Sequence, residues 1–273
     1  MGTKRRERAK SGARMSLGEH LVELRKRLMI AAIAIVLAMV VGWLITPFVW
    51  DALRAPIYDI AEQQGRTAQI NYGDITSAFD LKLQIALFLG MLIASPVWLY
   101  QIWAFLAPGL TRREKGYGLV FLGTAVPLFL AGAYVAWLVL PNIVRLMTSF
   151  APPEDAALIT ARTYLDFTLK LLLAVGVGFV LPVFLVLLNF VGVLEAKAIL
   201  RSWRIAILLI ILFAAITTPA ADLMSMFVLA VPMIALYFIA AGIAWLHDRR
   251  KLKREAAMLA EYGIDPNDAQ PEG

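Results

Sequence analysis

The chain of 273 residues contains no cysteine and only two histidines, and charged residues make up just 17% of it. Without cysteine there is no disulfide framework, no thiolate ligand and no cysteine nucleophile, so redox chemistry and most soft-metal sites drop out together. His20 and His247 both lie outside the long apolar runs, which leaves no imidazole to serve as an intramembrane protease base. No G-x-x-x-x-G-K-[ST] loop is present to hold a nucleotide phosphate, and neither H-E-x-x-H nor G-x-S-x-G occurs. Neither a cofactor nor an enzymatic activity is expected. No internal repeat is visible, which counts against an inverted-repeat transporter.

Apolar residues, by contrast, are abundant. They make up 60% of the chain, and the mean hydropathy of +0.73 exceeds what one soluble core of this length needs. Charge-free runs cover residues 28–46, 83–107, 116–144, 171–194, 205–221 and 223–246. An α-helix needs about 20 apolar residues to cross about 30 Å of hydrocarbon, so these runs predict an all-α integral membrane protein with six transmembrane helices. The runs are continuous rather than alternating, which favours helices over a β-barrel. The first run is too long for the apolar region of a cleaved signal peptide, and "PFVWDALRAP" after it offers no small-x-small cleavage site.

Of the 26 Lys and Arg residues, 20 fall on the N-terminus side of the six runs. Basic residues near span ends are retained in the cytoplasm, so both termini are expected there. The pI near 9.6 then reflects topology and anionic lipids rather than nucleic acid.

The expected organisation is a basic disordered arm over residues 1–15, a six-helix transmembrane domain over 16–247 and a charged cytoplasmic tail over 248–273. The spans are expected at about 28–46, 83–106, 117–140, 167–188, 205–217 and 224–246. "SLGE" at Ser16–Glu19 has capping-box spacing and predicts a helix start, as does Thr111 with Glu114. Pro47 and Pro56 suggest that the first span ends and that Val49, Leu53 and Ile57 belong to a short surface helix. Pro96 predicts a kink in a helix running from Asp74 to Leu106, followed by Trp98, Tyr100 and Trp103 as interfacial aromatics. Thr163 and Asp166 are expected to cap the fourth span. Pro219 disfavours helix at Thr218, so the fifth span is short. The last two helices together form a short hairpin.

Two carboxylates stand out among basic neighbours near the expected cytoplasmic surface: Glu23 before the first span and Glu114 after the second. The leaflet there is already negative, so acidic groups suit a positive ligand, and planar guanidinium pairs with carboxylate bidentately. Each also has a local explanation. Glu23 has Lys26 and Arg27 at i+3 and i+4, and Glu114 occupies the N3 position of a capping box.

"HLVELRKRL", "SPVWLYQIWAFLAPGL" with "RREK" after it, "FVLPV", and "TP" followed by Asp222 and "LAVPM" occur in order over about residues 19–233. In this the chain resembles the TatC family. The resemblance implies a concave six-helix receptor of the twin-arginine translocase, which exports folded proteins across the bacterial cytoplasmic membrane using the proton-motive force. Implied partners are twin-arginine signal peptides, TatA-type and TatB-type single-span proteins, further copies of the chain and anionic lipids. Glu23 and Glu114 match the positions that receive the arginine pair, with Arg25, Phe105 and Leu110 in the same motifs. Asp222 and Ser225 are weaker matches for polar contacts with a partner. Where many members carry a glutamate before the fourth-span proline, this chain has Val180 and Leu181.

Two other classes compete with this reading. A six-span solute transporter would need a polar site near the midplane, for which Asn189 and Gln84 are the candidates. An assembly scaffold would bind no peptide at all.

Overall fold

The first apolar run does not end at Pro47. In the computed structural model, which describes residues 17–63, 68–106, 115–149, 157–218 and 222–261, helix α1 spans Leu17–Gln63 and carries both Pro47 and Pro56 inside it. Each proline removes one i→i−4 hydrogen bond, whereas unwinding in an apolar medium would strip several backbone groups of partners. The stripe through Leu53 and Ile57, expected to lie on a membrane surface, is instead buried in protein. Tyr164 fastens it by donating its hydroxyl to the Leu53 carbonyl at 2.6 Å.

The remaining elements follow as β1 (Ala68–Asn71), α2 (Ser77–Ile93), α3 (Ser95–Leu106), α4 (Lys115–Ser149), β2 (Ala157–Thr160), α5 (Ala161–Phe190), α6 (Ala196–Arg201), α7 (Trp203–Thr217) and α8 (Leu223–Glu261). Strands β1 and β2 pair in parallel, Ala68 opposite Ala157 and Asn71 opposite Thr160. This small sheet was not legible in the sequence. It leads straight into α5, so Thr163 lies inside the helix, and Asp166 accepts a hydrogen bond from the Gln84 amide rather than capping. The expected cap at Thr111 and Glu114 lies outside the described residues.

The chain divides into two compact units, one of residues 1–130 with 151–170 and the other of residues 131–150 with 171–273. In the first, α1 and α2 approach backbone to backbone at two glycines. A Cβ on Gly42 would stand 2.6 Å from the Ala86 carbonyl oxygen, and one on Gly90 would stand 2.8 Å from that of Ile35. Small residues permit such approach where helices pack in lipid. Helices α2 and α3 meet at Ala94 with a bend of 58°. Pro96 sits in the first turn of α3, where its missing N–H costs least, and Trp98 donates its indole N–H to the Met91 carbonyl at 2.9 Å. Of the aromatics expected at an interface, Tyr100 is exposed, but Trp103 is 5% exposed and packs on Gly118, where any Cβ would come within 2.5 Å of its ring.

In the second unit Gly132 lies against Phe179 and the Val175 carbonyl, and Val180 is buried. Ile199, Tyr237, Ala241 and Ala244 form a core cluster joining α6 to α8, where Tyr237 donates to the Ile199 carbonyl at 2.6 Å. Asp248 holds the start of α6 by accepting from the Ala196 N–H at 2.8 Å and the Asn189 amide at 3.0 Å. Helix α7 stops at Thr217, with Thr218 extended before Pro219. At 15 residues it reaches about 22 Å. The expectation of two short final helices is corrected for α8, which runs 39 residues through Pro232 and on into the basic tail. Strong helix formers such as "REAAMLAE" carry it there.

By length and composition, four helical segments among the described residues can cross a membrane: Gly18–Asp59, Gly118–Ser149, Ala161–Phe190 and Leu223–Met258. The bent pair α2 and α3 makes a fifth if it counts as one. Leu37, Val40 and Leu44 leave a broad apolar face of α1 exposed, as a lipid-facing helix requires.

Candidate functional site

The N-terminal turns of α1 run beside the C-terminal turns of α3. His20, Glu23 and Arg27 recur at i, i+3 and i+7 and so share one stripe of α1, while Gln101 and Phe105 at i and i+4 share one of α3. The stripes meet at two points. His20 stacks on Phe105 with ring centroids 4.4 Å apart and planes at 22°. Seven residues along α1, Arg27 Nη1 donates to Gln101 Oε1 at 3.3 Å.

Between these contacts lies Glu23, with 19% of its side chain exposed. Its Oε1 accepts from Arg27 Nε at 3.0 Å and from Nη2 at 2.5 Å, so the i,i+4 ion pair suggested by the sequence is formed. That pair uses only half of the carboxylate. Oε2 is buried and has no hydrogen-bond partner among the described residues. A buried acceptor left unmet costs about 1–3 kcal/mol, and more when charged. A ligand bringing two or more N–H donors would remove that penalty.

Arg25 is exposed and lies two residues from Glu23, on the opposite side of α1. Phe105 is in the cluster, whereas Leu110 and Glu114 lie outside the described residues. Asp222 and Ser225 belong to the second unit, where Asp222 Oδ1 accepts from the Ser225 N–H at 2.9 Å and so caps α8. Asp222 Oδ2 and Ser225 Oγ are both buried without partners among the described residues.

Sequence reasoning paired Arg27 with Glu23 but did not single out Gln101 for this place. The signal was present for Gln101, an isolated amide in a charge-free run, one helical turn before Phe105. Trp103 adds, near the same end of α3, a buried indole Nε1 with no partner among the described residues. Among the described residues no group of three His, Asp or Glu side chains could hold a metal ion. The cluster offers one open carboxylate oxygen, an amide and a flat aromatic pair, which suits a planar, multiply donating cation.

Residues 19–232 match the family model described as TatC, Sec-independent protein translocase protein. A Sec-independent protein translocase protein TatC from Xylanimonas cellulosilytica is 44% identical over 247 residues, covering 90% of this chain and 90% of that relative. Another from Rothia mucilaginosa is 40% identical over 251 residues, 91% of this chain and 85% of that relative. A crystal structure of the twin arginine translocase receptor TatC superposes with a TM-score of 0.69 at 29% identity, covering 83% of this chain and 99% of the solved one.

Proposed function

This chain belongs to the TatC family of Sec-independent protein translocase proteins, and from that premise we propose that it is the membrane receptor core of a twin-arginine translocase. It binds the arginine pair of signal peptides on folded cargo at the paired ends of α1 and α3. The observation that carries this reading is the buried, unpartnered Oε2 of Glu23. One incoming guanidinium donates to it, and Phe105 with His20 provides an aromatic wall. Glu114 takes the second guanidinium, and Leu110 and Arg25 complete the site.

In this reading the chain crosses the membrane six times, counting α2 with α3 as one crossing and α7 as another, and both termini are cytoplasmic. It assembles TatA-type and TatB-type single-span partners and further copies of itself in the bacterial cytoplasmic membrane, for export driven by the proton-motive force. The excess of basic residues on the N-terminus side meets anionic lipid. Asp222 Oδ2 and Ser225 Oγ, unpartnered among the described residues, accept from or donate to a partner helix. A helix of about 22 Å thins the bilayer beside it, which suits passage of folded cargo.

A solute transporter is not favoured, because the amide N–H groups of its polar candidates are engaged structurally. Asn189 donates to the Leu194 carbonyl at 2.9 Å and to Asp248, and Gln84 pairs with Asp166. The test is binding of a labelled twin-arginine signal peptide, and of its two-lysine variant, to protein in nanodiscs. Glu23→Gln and Glu114→Gln should each weaken the arginine peptide by roughly tenfold, the worth of one charge-assisted hydrogen bond. Equal binding of both peptides by all three proteins would refute the assignment.

A further inference from the structure

A second polar site lies within the first unit, far from Glu23. A cavity of ≈ 420 Å³ is lined by Asp80 and Gln84 of α2, Arg162 and Asp166 of α5, and the apolar side chains of Met39, Leu83 and Leu87. Asp80 and Arg162 border the same space, yet neither forms an ion pair with the other or with any described residue. Asp166 gives one oxygen to the Gln84 amide and keeps the other for a ligand. An anionic edge and a cationic edge thus face one cavity without meeting.

Asp80 stands just before the expected second span, 83–106, and Arg162 just before the expected fourth, 167–188, so in the six-crossing reading the cavity opens at the membrane boundary opposite the Glu23 cluster, with Met39 inside the first span. Lys82 lies over the Trp43 ring at 4.4 Å, and Trp43 meets Phe79 edge-on at 5.8 Å, the kind of aromatic and cationic anchoring found at that depth. Leu83 and Leu87, 41% and 39% exposed, open the cavity's apolar side toward lipid.

We propose that this cavity, between Asp80, Asp166 and Arg162, is a seat for one zwitterionic phospholipid with a primary ammonium headgroup, phosphatidylethanolamine in chemical class. The ammonium donates N–H groups to Asp80 and to the free oxygen of Asp166, and the phosphodiester accepts from the Arg162 guanidinium. An acyl chain lies over Met39, Leu83 and Leu87. Phosphatidylcholine lacks ammonium N–H donors and phosphatidylglycerol lacks the cation, so each satisfies only one edge. The bound lipid would tie α2 to α5.

The experiment is native mass spectrometry of the full chain, delipidated in detergent and titrated with each of the three lipids. Wild type should bind phosphatidylethanolamine roughly tenfold more tightly than phosphatidylcholine, and Asp80→Asn and Arg162→Gln should each abolish that preference. No preference in wild type, a preference for phosphatidylglycerol, or an unchanged preference in both variants would overturn the assignment. Because a variant can fail by misfolding, a photoactivatable-acyl phosphatidylethanolamine is also applied to unmutated protein. Label in the peptides carrying Met39 or Leu83 and Leu87 is the expected result, and label confined elsewhere would refute the seat.

Discussion

At the scale of single residues, two carboxylates each keep one buried oxygen without a partner among the described residues and differ in what the other oxygen holds. Glu23 spends one oxygen on Arg27 and keeps the other buried and open, which is what a receptor for a donor-rich cation requires. Asp222 spends one oxygen on the Ser225 N–H and so closes the first turn of α8. Asp222→Ala should therefore lower stability by about 1 kcal/mol in reversible detergent unfolding, while Asp222→Asn retains the cap and most of the stability. An equal loss in both variants would assign the effect to charge rather than to capping. Glu23→Gln should leave unfolding nearly unchanged, since its ion pair with Arg27 is an i,i+4 pair worth only a few tenths of a kcal/mol. A loss above about 2 kcal/mol would mark it as a structural residue instead.

At the scale of elements, the glycines that let α1 and α2 touch carry the first unit. Gly90→Leu forces a side chain into the Ile35 carbonyl and the Met39 backbone, and it should cost about 1–3 kcal/mol by overpacking. Gly123→Leu, where nothing lies within 4 Å of the added Cβ, is the control expected to unfold like wild type. Comparable losses in the two variants would contradict the close packing. The positions and apolar character of the helices were legible because their charge-free runs are long. Their ends were legible only where the chain could leave helix cheaply. Pro219 ends α7 because Thr218 turns extended before it, whereas Pro47 and Pro56 end nothing, since α1 keeps its remaining backbone bonds by staying helical. Strands β1 and β2 carry no period long enough to detect, and their pairing joins positions 89 residues apart. Of the candidate site, Glu23 and Phe105 were legible from motif and charge, whereas the isolated amide of Gln101 gained its partner, Arg27, only where α3 lies beside α1.

At the scale of the whole molecule, the charge distribution makes a prediction that the absence of cysteine renders easy to read. Each introduced cysteine is the sole thiol in the chain. Cysteines placed at Ser16 and at Ser202 should be blocked only by reagents that reach the cytoplasm, and one at Tyr72 should be labelled from outside in intact cells. Labelling of all three from one side would contradict the six-crossing arrangement with cytoplasmic termini.

Recognition turns on one atom pair, the open oxygen of Glu23 and an arginine of the ligand. A double-mutant cycle measures it most directly: binding of two-arginine and two-lysine signal peptides to wild type and Glu23→Gln in nanodiscs. The expected coupling energy is about 1.5 kcal/mol or more, because planar guanidinium loses its matched acceptor only when both partners are present to be lost. A coupling near zero, with the two changes simply adding, would show that Glu23 does not hold the arginine pair.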